Sequence, residues 1–203
     1  MRARSMTEEI RALAGERDPA CLLDASGTIL FVNDAWDRYA AAHGGGGRSD
    51  GVALVGTRWL DHVAGEVPRS VHQGALARAL AAEAPPVALT SEANDPERAR
   101  LVTTVLRPIR SGPGRPAAGV AVVHRVVRER PIAEVYEPVA AEGEALRGDD
   151  GTIAQCACCR RTRRPSDPDQ WDFVVGQVAG SPPDVAWCYC PLCLELHVGA
   201  EWP

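Results

Sequence analysis

Apolar residues follow helical or strand periodicity through most of the first 130 residues. Helical segments show apolar positions three and four residues apart, whereas strands show short runs rich in valine, leucine and isoleucine. Proline pairs and clusters of glycine, asparagine and aspartate separate these segments. The pattern predicts helices over about 7–14, over 35–43 and from residue 70 onward, strands over 20–24, 28–32, 87–92, 100–109 and 118–127, and a short irregular or helical element over 55–63.

Local signals indicate where the helices begin. The segments 5–8 (Ser-Met-Thr-Glu) and 70–73 (Ser-Val-His-Gln) have the spacing of a capping box, in which the first and fourth residues satisfy exposed backbone groups. Asn33 or Asp34 is the expected cap of the helix between them. Four consecutive glycines within 43–50 predict a flexible loop after that helix.

The order of these elements predicts the fold class. Two strands, then helices, then three strands are typical of an α+β domain with an antiparallel sheet. The following stretch is acidic, rich in small residues and weakly patterned, with at most one helical turn near 133–136. The predicted organisation is an N-terminal helix over 1–17, the α+β domain over 18–130, a linker over 131–151 and a cysteine-rich module over 152–203.

Composition restricts the classes of protein to which the chain can belong. Its 203 residues are 45% hydrophobic and 24% charged, as in soluble globular proteins. Because no run approaches 18 apolar residues and the N-terminus lacks the apolar core of a signal peptide, we expect a cytosolic protein without a membrane span. All 22 basic residues are arginine, which excludes lysine Schiff bases and Walker-type phosphate binding.

Charge argues against nucleic acid as a partner. Residues 1–150 carry 18 arginines against 21 acidic residues, and residues 151–203 carry four against six. Neither part is basic, so a nucleic-acid partner is not expected. The four arginines of the second part form a local cluster that either contacts phosphate or an acidic partner, or compensates the negative charge of a metal–thiolate centre. We favour compensation for this cluster, which comprises Arg160, Arg161, Arg163 and Arg164.

The cysteines indicate a metal site. Six of the seven lie between Cys156 and Cys193, and such crowding in a cytosolic chain favours metal binding over disulfides. Two Cys-x-x-Cys pairs are present, and each can offer two thiolates to one zinc ion. A module of this size is marginally stable on its core alone, whereas structural zinc supplies on the order of 10–16 kcal/mol. The predicted ligands of one structural zinc ion are Cys156, Cys159, Cys190 and Cys193.

Three other residues leave the ligand set open. Cys158 and Cys188 stand beside the paired cysteines, and His197 lies four residues after the last of them. Any of these could replace one predicted ligand. A thioredoxin-like redox centre is less favoured because no βαβ pattern surrounds either pair.

Several short motifs in the N-terminal part together resemble a bacterial PAS sensor domain. They are Leu23 to Ile29 (Leu-Asp-Ala-Ser-Gly-Thr-Ile), Val32 to Trp36 (Val-Asn-Asp-Ala-Trp) and Val55 to Leu60 (Val-Gly-Thr-Arg-Trp-Leu). His124 resembles the histidine of the closing His-x-Asp-Ile-Thr strand end of that family. The Asp-Ile-Thr exit itself is absent, because Arg125-Val126-Val127 follows.

The resemblance implies a fold, a ligand pocket and a dimer. PAS domains have a five-stranded antiparallel sheet with helices on one side, and they bind small ligands or protein partners. A small apolar pocket between helices and sheet would take the ligand. A homodimer through the PAS domain is also implied, with Ile10 and Leu13 of the first helix buried either in the partner or on their own sheet. The candidate pocket residues, which can equally be ordinary core, are Trp36, Tyr39, Trp59 and Leu76.

Neither of two PAS cofactors is supported by the residues present. Flavin photochemistry needs a cysteine on a central helix, and none occurs between Cys21 and Cys156. Haem needs an axial ligand, often a histidine of the long helix. His62 precedes that helix and His72 is expected at its solvent-facing start, so we predict neither haem nor flavin.

The cysteine segment resembles a tail found on many bacterial signalling proteins after PAS or response-regulator domains. Its pattern is Cys-x-x-Cys-Lys/Arg-x-Ile-Arg, a tryptophan, then Ser-His-Gly-x-Cys-Pro-x-Cys. Thr162 stands where the pattern has isoleucine, and the Ser-His-Gly triplet is absent. The matching residues are Cys156, Cys159, Arg160, Arg163, Trp171, Cys190, Pro191 and Cys193.

Three functions are compatible with these features. The favoured one is a non-enzymatic cytosolic signal-transduction protein of two-component type, in which a PAS domain senses a small ligand or partner and a structural zinc module mediates interaction. The alternatives are a zinc-finger transcriptional regulator that binds nucleic acid, and a thiol redox sensor. No catalytic residue is predicted, because the sequence lacks a nucleophile–base pair, a His-Glu-x-x-His motif and a phosphate loop. The output would pass through an unidentified signalling partner.

Overall fold

The computed structural model describes residues 5–42, 51–81, 85–110, 112, 114–140, 143–179 and 184–197. The α-helices are α1 (Met6–Ala14), α2 (Asp34–Ala42), α3 (Gly51–Leu54), α4 (Glu66–Leu80), α5 (Val175–Val178) and α6 (Pro191–His197). The strands are β1 (Ala20–Asp24), β2 (Ile29–Val32), β3 (Val87–Glu92), β4 (Arg98–Ile109), β5 (Gly119–Pro131), β6 (Pro138–Val139), β7 (Ile153–Cys156), β8 (Thr162–Arg164), β9 (Asp167–Val174) and β10 (Val185–Cys188). Short 3-10 helices cover Trp59–His62, Ile132–Glu134 and Gly143–Leu146.

The predicted α+β class is confirmed by a five-stranded antiparallel sheet with the strand order β2-β1-β5-β4-β3. The first two predicted strands, β1 and β2, form a hairpin, and Gly27 takes the left-handed φ of 83° that its turn requires. β1 then pairs with β5, where Asp24 is opposite Gly119. A Cβ at Gly119 would lie 2.3 Å from the carbonyl oxygen of Leu23, so only glycine allows this close approach.

Apolar side chains that point alternately to the two sides of β1 are buried on both faces of this sheet. In β1, Cys21 and Leu23 point into one apolar cluster, whereas Ala20 and Leu22 point into another. Successive side chains of a strand point to opposite faces, so a fully apolar strand buries both. Helices α3 and α4 contribute to the cluster of Cys21 and Leu23, and α1 contributes to the other.

Helix α1 packs on its own chain. The capping box is present as predicted, with Ser5 accepting from the Glu8 N–H and Glu8 accepting from the Ser5 N–H. Leu13 is buried and Ile10 packs partly against the same cluster. The buried carboxylate of Glu9 pairs with the Arg107 guanidinium. The apolar face of α1 therefore packs within its own chain. It does not need a second protomer, so this face no longer supports the predicted homodimer.

Two expectations about the helices are corrected. α4 begins at Glu66, so the predicted capping box places Ser70 inside the helix and not at its start. Pro68 lies in the first turn, where its missing N–H costs no intrahelical bond. His72, expected at the helix start facing solvent, is half-buried instead, with its ring 5.4 Å from that of Trp59. The predicted glycine loop 43–50 lies outside the described residues.

A second five-stranded sheet has the order β10-β7-β8-β9-β6. It is mixed, because β10 runs parallel to β7 and β6 parallel to β9, whereas β7, β8 and β9 pair antiparallel. The stretch 131–151, expected to be a linker, contains two of the 3-10 helices and β6. Its residue Ile132 is buried in one apolar cluster with Phe173 and Leu196.

The described residues group into two compact units. The first draws on Met1–Val63, Ser70–Leu89 and Thr103–Arg125, and the second on Ala64–Arg69, Thr90–Val102 and Val126–Pro203. The chain passes from one unit to the other within α4, β3, β4 and β5. Among the residues described, none of the helices is long and apolar enough to span a bilayer.

Leu13→Ala tests whether α1 is held by its own sheet. Leu13 is 1% exposed, so its truncation should lower the free energy of unfolding by about 2–5 kcal/mol. Urea unfolding measures the change. Leu30→Ala is the matched control, because Leu30 is 42% exposed and should cost less than about 1 kcal/mol. Equal losses in the two variants would contradict the packing of α1 on its own sheet.

Candidate metal centre and core histidine

Two short backbone segments hold the four predicted cysteine ligands. Cys156 ends β7, and Cys159 lies in the turn that follows. Arg160 closes this turn with a left-handed φ of 64°, and its N–H donates to the Cys156 carbonyl at 3.1 Å. The turn thereby directs two side chains of the first Cys-x-x-Cys pair to the same side of the backbone.

The second pair lies at the start of α6. Pro191 occupies the first helical position, which suits its fixed φ and missing N–H. Cys190 precedes it, and the Cys193 N–H lies 3.5 Å from Cys190 Sγ, the contact that a capping side chain makes. One turn of helix thus brings Cys190 and Cys193 to the same face.

The four sulfurs converge on one buried point. The Sγ atoms of all four cysteines lie within 4.8 Å of one another, and all four side chains are buried. A tetrahedral zinc site with bonds of about 2.3 Å has sulfur–sulfur edges of about 3.8 Å. The separation of 3.6 Å between Cys159 Sγ and Cys190 Sγ is close to that edge. The residues therefore fit a tetrahedral four-thiolate metal site.

Arg161 supplies positive charge to this cluster. Its guanidinium donates to Cys159 Sγ from Nε at 3.3 Å and to Cys190 Sγ from a terminal nitrogen at 3.1 Å. Partial burial opposes its charge, but the sulfurs of Cys159 and Cys190 outweigh burial and raise the pKa of Arg161. Arg161 thus remains cationic beside the sulfurs.

The crowded thiols do not ionise equally without a cation. Hydrogen bonds from Cys158 and Cys159 lower the pKa of Cys156, whereas burial raises the pKa of Cys159. Four thiolates at these distances repel one another, and one guanidinium cannot balance them. A divalent cation would allow all four to ionise together.

The residues that left the ligand set open lie outside the four-sulfur group. Cys158 and Cys188 are half-buried, and Cys188 Sγ lies 3.6 Å from the Gln155 carbonyl oxygen. His197 places its ring 4.8 Å from that of Tyr189. The group of metal-ligating atoms found among the described residues contains none of these three side chains.

The four neighbouring arginines do not form one basic surface. Arg160 covers the ring of Trp187 at 4.6 Å, and Arg164 pairs with Asp172. Arg163 is exposed, and Arg161 is the arginine that contacts the sulfurs. Sequence reasoning treated the four as equivalent, because adjacency alone does not show which side chain turns inward.

Three of the four candidate pocket residues lie in one apolar cluster of the first unit. Trp59 and Leu76 are buried there, and Trp36 packs partly against them. Tyr39 is half-buried and lies outside this cluster. Such packing is what ordinary core residues show, and it leaves the ligand pocket a prediction.

His124 is a half-buried polar residue whose surroundings the sequence did not reveal. Its Nδ1 shares a hydrogen bond of 2.9 Å with the Thr104 hydroxyl, and its ring meets the edge of Trp36 at 5.3 Å. Its Nε2 is buried and has no hydrogen-bond partner among the described residues. Burial, aided by the charge of His72, lowers the pKa of His124 from 6.5 to about 4.

The lowered pKa of His124 predicts a loss of stability in acid. The unfolded chain binds this proton near pH 6.5 and the folded chain only near pH 4. The free energy of unfolding therefore has its full value above pH 6.5 and decreases as the pH falls from 6.5 to 4. His124→Gln should remove about 2 kcal/mol of this pH dependence, allowing for the part of the ring in contact with water. The measurement is urea unfolding at several pH values between 4 and 7.

The exposed His62 provides the control for this effect. His62→Gln should retain the pH dependence of the unmodified chain. A His124→Gln variant with the same slope would show that the pKa of His124 does not differ between the folded and unfolded chains.

Comparison with known proteins gave matches among solved structures. No family model matches the chain, and no curated protein matches it. The PAS domain of BvgS from Bordetella pertussis is 23% identical with a TM-score of 0.45, over 62% of this chain and 87% of that domain. A domain of an HTR-like protein from Haloarcula marismortui is 21% identical with a TM-score of 0.35, over 56% of this chain and all of that domain. Similarity at this level transfers neither a ligand nor a partner.

Proposed function

We propose that this chain is a non-enzymatic signalling protein in which a PAS-like sensing unit is joined to a unit built around one structural zinc ion. The observation that carries the zinc assignment is the group of four buried cysteine sulfurs within 4.8 Å of one another. The sensing role is supported by the five-stranded antiparallel sheet and by the order of its elements.

A structural role for the metal follows from its ligands. Catalytic zinc keeps an open position beside histidine or carboxylate ligands, whereas four thiolates close the coordination sphere. Trp171, Tyr189 and Leu192 pack against the cysteines and keep the sulfurs away from water. Zinc at this site would supply folding free energy, and the residues around it would retain it. Iron also accepts four sulfurs in a tetrahedron, so metal identity is part of the test.

The alternatives have less support. Nucleic-acid binding would need a basic surface, but three of the four clustered arginines contact an aromatic ring, sulfur atoms or a carboxylate. A thiol redox sensor would use the same sulfurs, because oxidation of a metal-bound thiolate releases the metal. Redox sensing would therefore be an added property of the zinc centre.

Metal analysis of purified protein tests the zinc assignment. We expect one zinc per chain, and loss of that stoichiometry in Cys156→Ser, Cys159→Ser, Cys190→Ser and Cys193→Ser. Cys158→Ser and Cys188→Ser are the matched controls, because both residues are neighbouring cysteines outside the four-sulfur group. Zinc retained in a variant of the four, with loss in a control, would overturn the ligand set. Bound iron with a visible absorption band would overturn the metal.

The remaining parts of the proposal concern the signal and its partner. We propose that a small ligand or protein partner is sensed near Trp36 and Trp59, and that the output reaches a separate signalling protein. Dimerisation through the PAS-like unit is proposed from the family resemblance alone. Light scattering of the intact chain at tens of micromolar should report twice the monomer mass, and a monomer would contradict the dimer.

A further inference from the structure

A buried asparagine connects the candidate metal centre to the turn between β3 and β4. Asn94 donates from Nδ2 to the Cys159 carbonyl at 3.2 Å and to Glu92 Oε2 at 2.7 Å. Its Oδ1 accepts from the Arg100 N–H at 3.0 Å. The Asn94 side chain is 8% exposed. It joins the turn over 156–160, here called the cysteine turn, to β3 and β4 on either side of the β3–β4 turn.

The bond to Cys159 reaches the cysteine turn at its most constrained point. Cys159 directly precedes Arg160, which has the left-handed φ of 64°. A non-glycine residue keeps such a conformation only where the surrounding bonds hold it. Asn94 fixes the peptide group on one side of Arg160, and so helps to orient Cys159 Sγ toward the other sulfurs.

A second series of contacts also connects Asn94 to Cys159, and together with the direct bond it closes a ring. The buried carboxylate of Glu92, 1% exposed, accepts from Asn94 and from the Tyr136 hydroxyl. The Arg161 guanidinium covers the Tyr136 ring at 5.0 Å and donates to Cys159 Sγ. The positive charge of Arg161 thereby lies between the sulfurs and the Tyr136–Glu92 pair.

This ring depends on the cysteine turn staying in place. Glu92 is a buried carboxyl group that accepts from Asn94 and Tyr136, and a buried polar group is costly once a hydrogen-bond partner is removed. If the cysteine turn relaxes, Asn94 loses an acceptor and Arg161 loses its sulfurs. The turn that Asn94 holds would then loosen as well.

We infer that Asn94 is a positioning residue of the metal centre and that it couples metal occupancy to the order of the β3–β4 turn. This inference rests on the proposed zinc site. The coupling works in both directions, because a free-energy linkage between two sites is reciprocal. Metal release loosens the turn, and loss of the Asn94 contacts speeds metal release. Metal occupancy therefore affects the order of the adjoining ends of β3 and β4.

Zinc release from the full chain tests the first direction. Zinc-loaded protein is mixed with a chromophoric chelator, and the release rate is followed by absorbance. Asn94→Ala should release zinc about tenfold faster or more, since residues that support metal ligands typically contribute a factor of 10–100. Cobalt-substituted Asn94→Ala should keep the thiolate-to-metal absorption of the unmodified protein, because all four ligands remain.

Asn33→Ala is the matched control. Asn33 is also buried, and it accepts from the Ala20 N–H at 3.0 Å and donates to the Asp18 carbonyl at 3.0 Å in the first unit. Its loss should destabilise the chain without changing the zinc release rate. Tyr136→Phe removes only the hydroxyl that binds Glu92, and should give a smaller acceleration than Asn94→Ala.

Hydrogen exchange of the unmodified chain tests the second direction without any variant. On zinc removal, the Arg100 amide should exchange at least about tenfold faster, whereas the Ala20 amide, bonded to Asn33, should keep its rate. An unchanged Arg100 amide, or an Asn94→Ala variant with the original release rate, would overturn the inference. A chain that binds no zinc at all would instead contradict the proposed function.

Discussion

The gathering of four cysteine sulfurs at one buried point is the constraint on which the second unit depends. Two sulfurs come from the turn after β7 and two from the start of α6, segments separated by 30 residues of chain. Ionised sulfurs within 4.8 Å repel one another, and Arg161 supplies only one positive charge. A divalent cation at this point would attract all four sulfurs, and its binding free energy would then contribute to the folding of this unit.

The first unit depends on a different interaction, the burial of both faces of its central strands. Alternate residues of β1 enter separate apolar clusters, one completed by α3 and α4 and the other by α1. Apolar area removed from water supplies stability there. His124 is one of the polar groups in this unit, and its neutral ring at ordinary pH is a consequence of its apolar surroundings.

Local signals made the secondary structure of the first unit predictable. The hairpin of β1 and β2 follows from two apolar runs around Ala25-Ser26-Gly27, and α1 follows from its capping box. The start of α4 was mispredicted because residues 70–73 have capping-box spacing although they lie inside the helix, and Pro68 is tolerated in its first turn, where there is no intrahelical N–H bond to lose. Spacing also predicted the four cysteines of the metal group, because two residues between a pair match one turn of backbone.

The sequence by itself therefore determined most elements of the first unit, the α+β class of its sheet and the two Cys-x-x-Cys pairs that the structure brings together, since each element and each pair depends on residues near one another in the chain. The tertiary structure decided which arginine reaches the sulfurs, that Asn94 binds Cys159, and that His124 meets Thr104 and Trp36. Apart from the contact of Arg161 with Cys159, the partners in these contacts are 20 to 88 residues apart. Periodicity and spacing describe neighbours along the chain, whereas such contacts arise only when packing brings distant segments together.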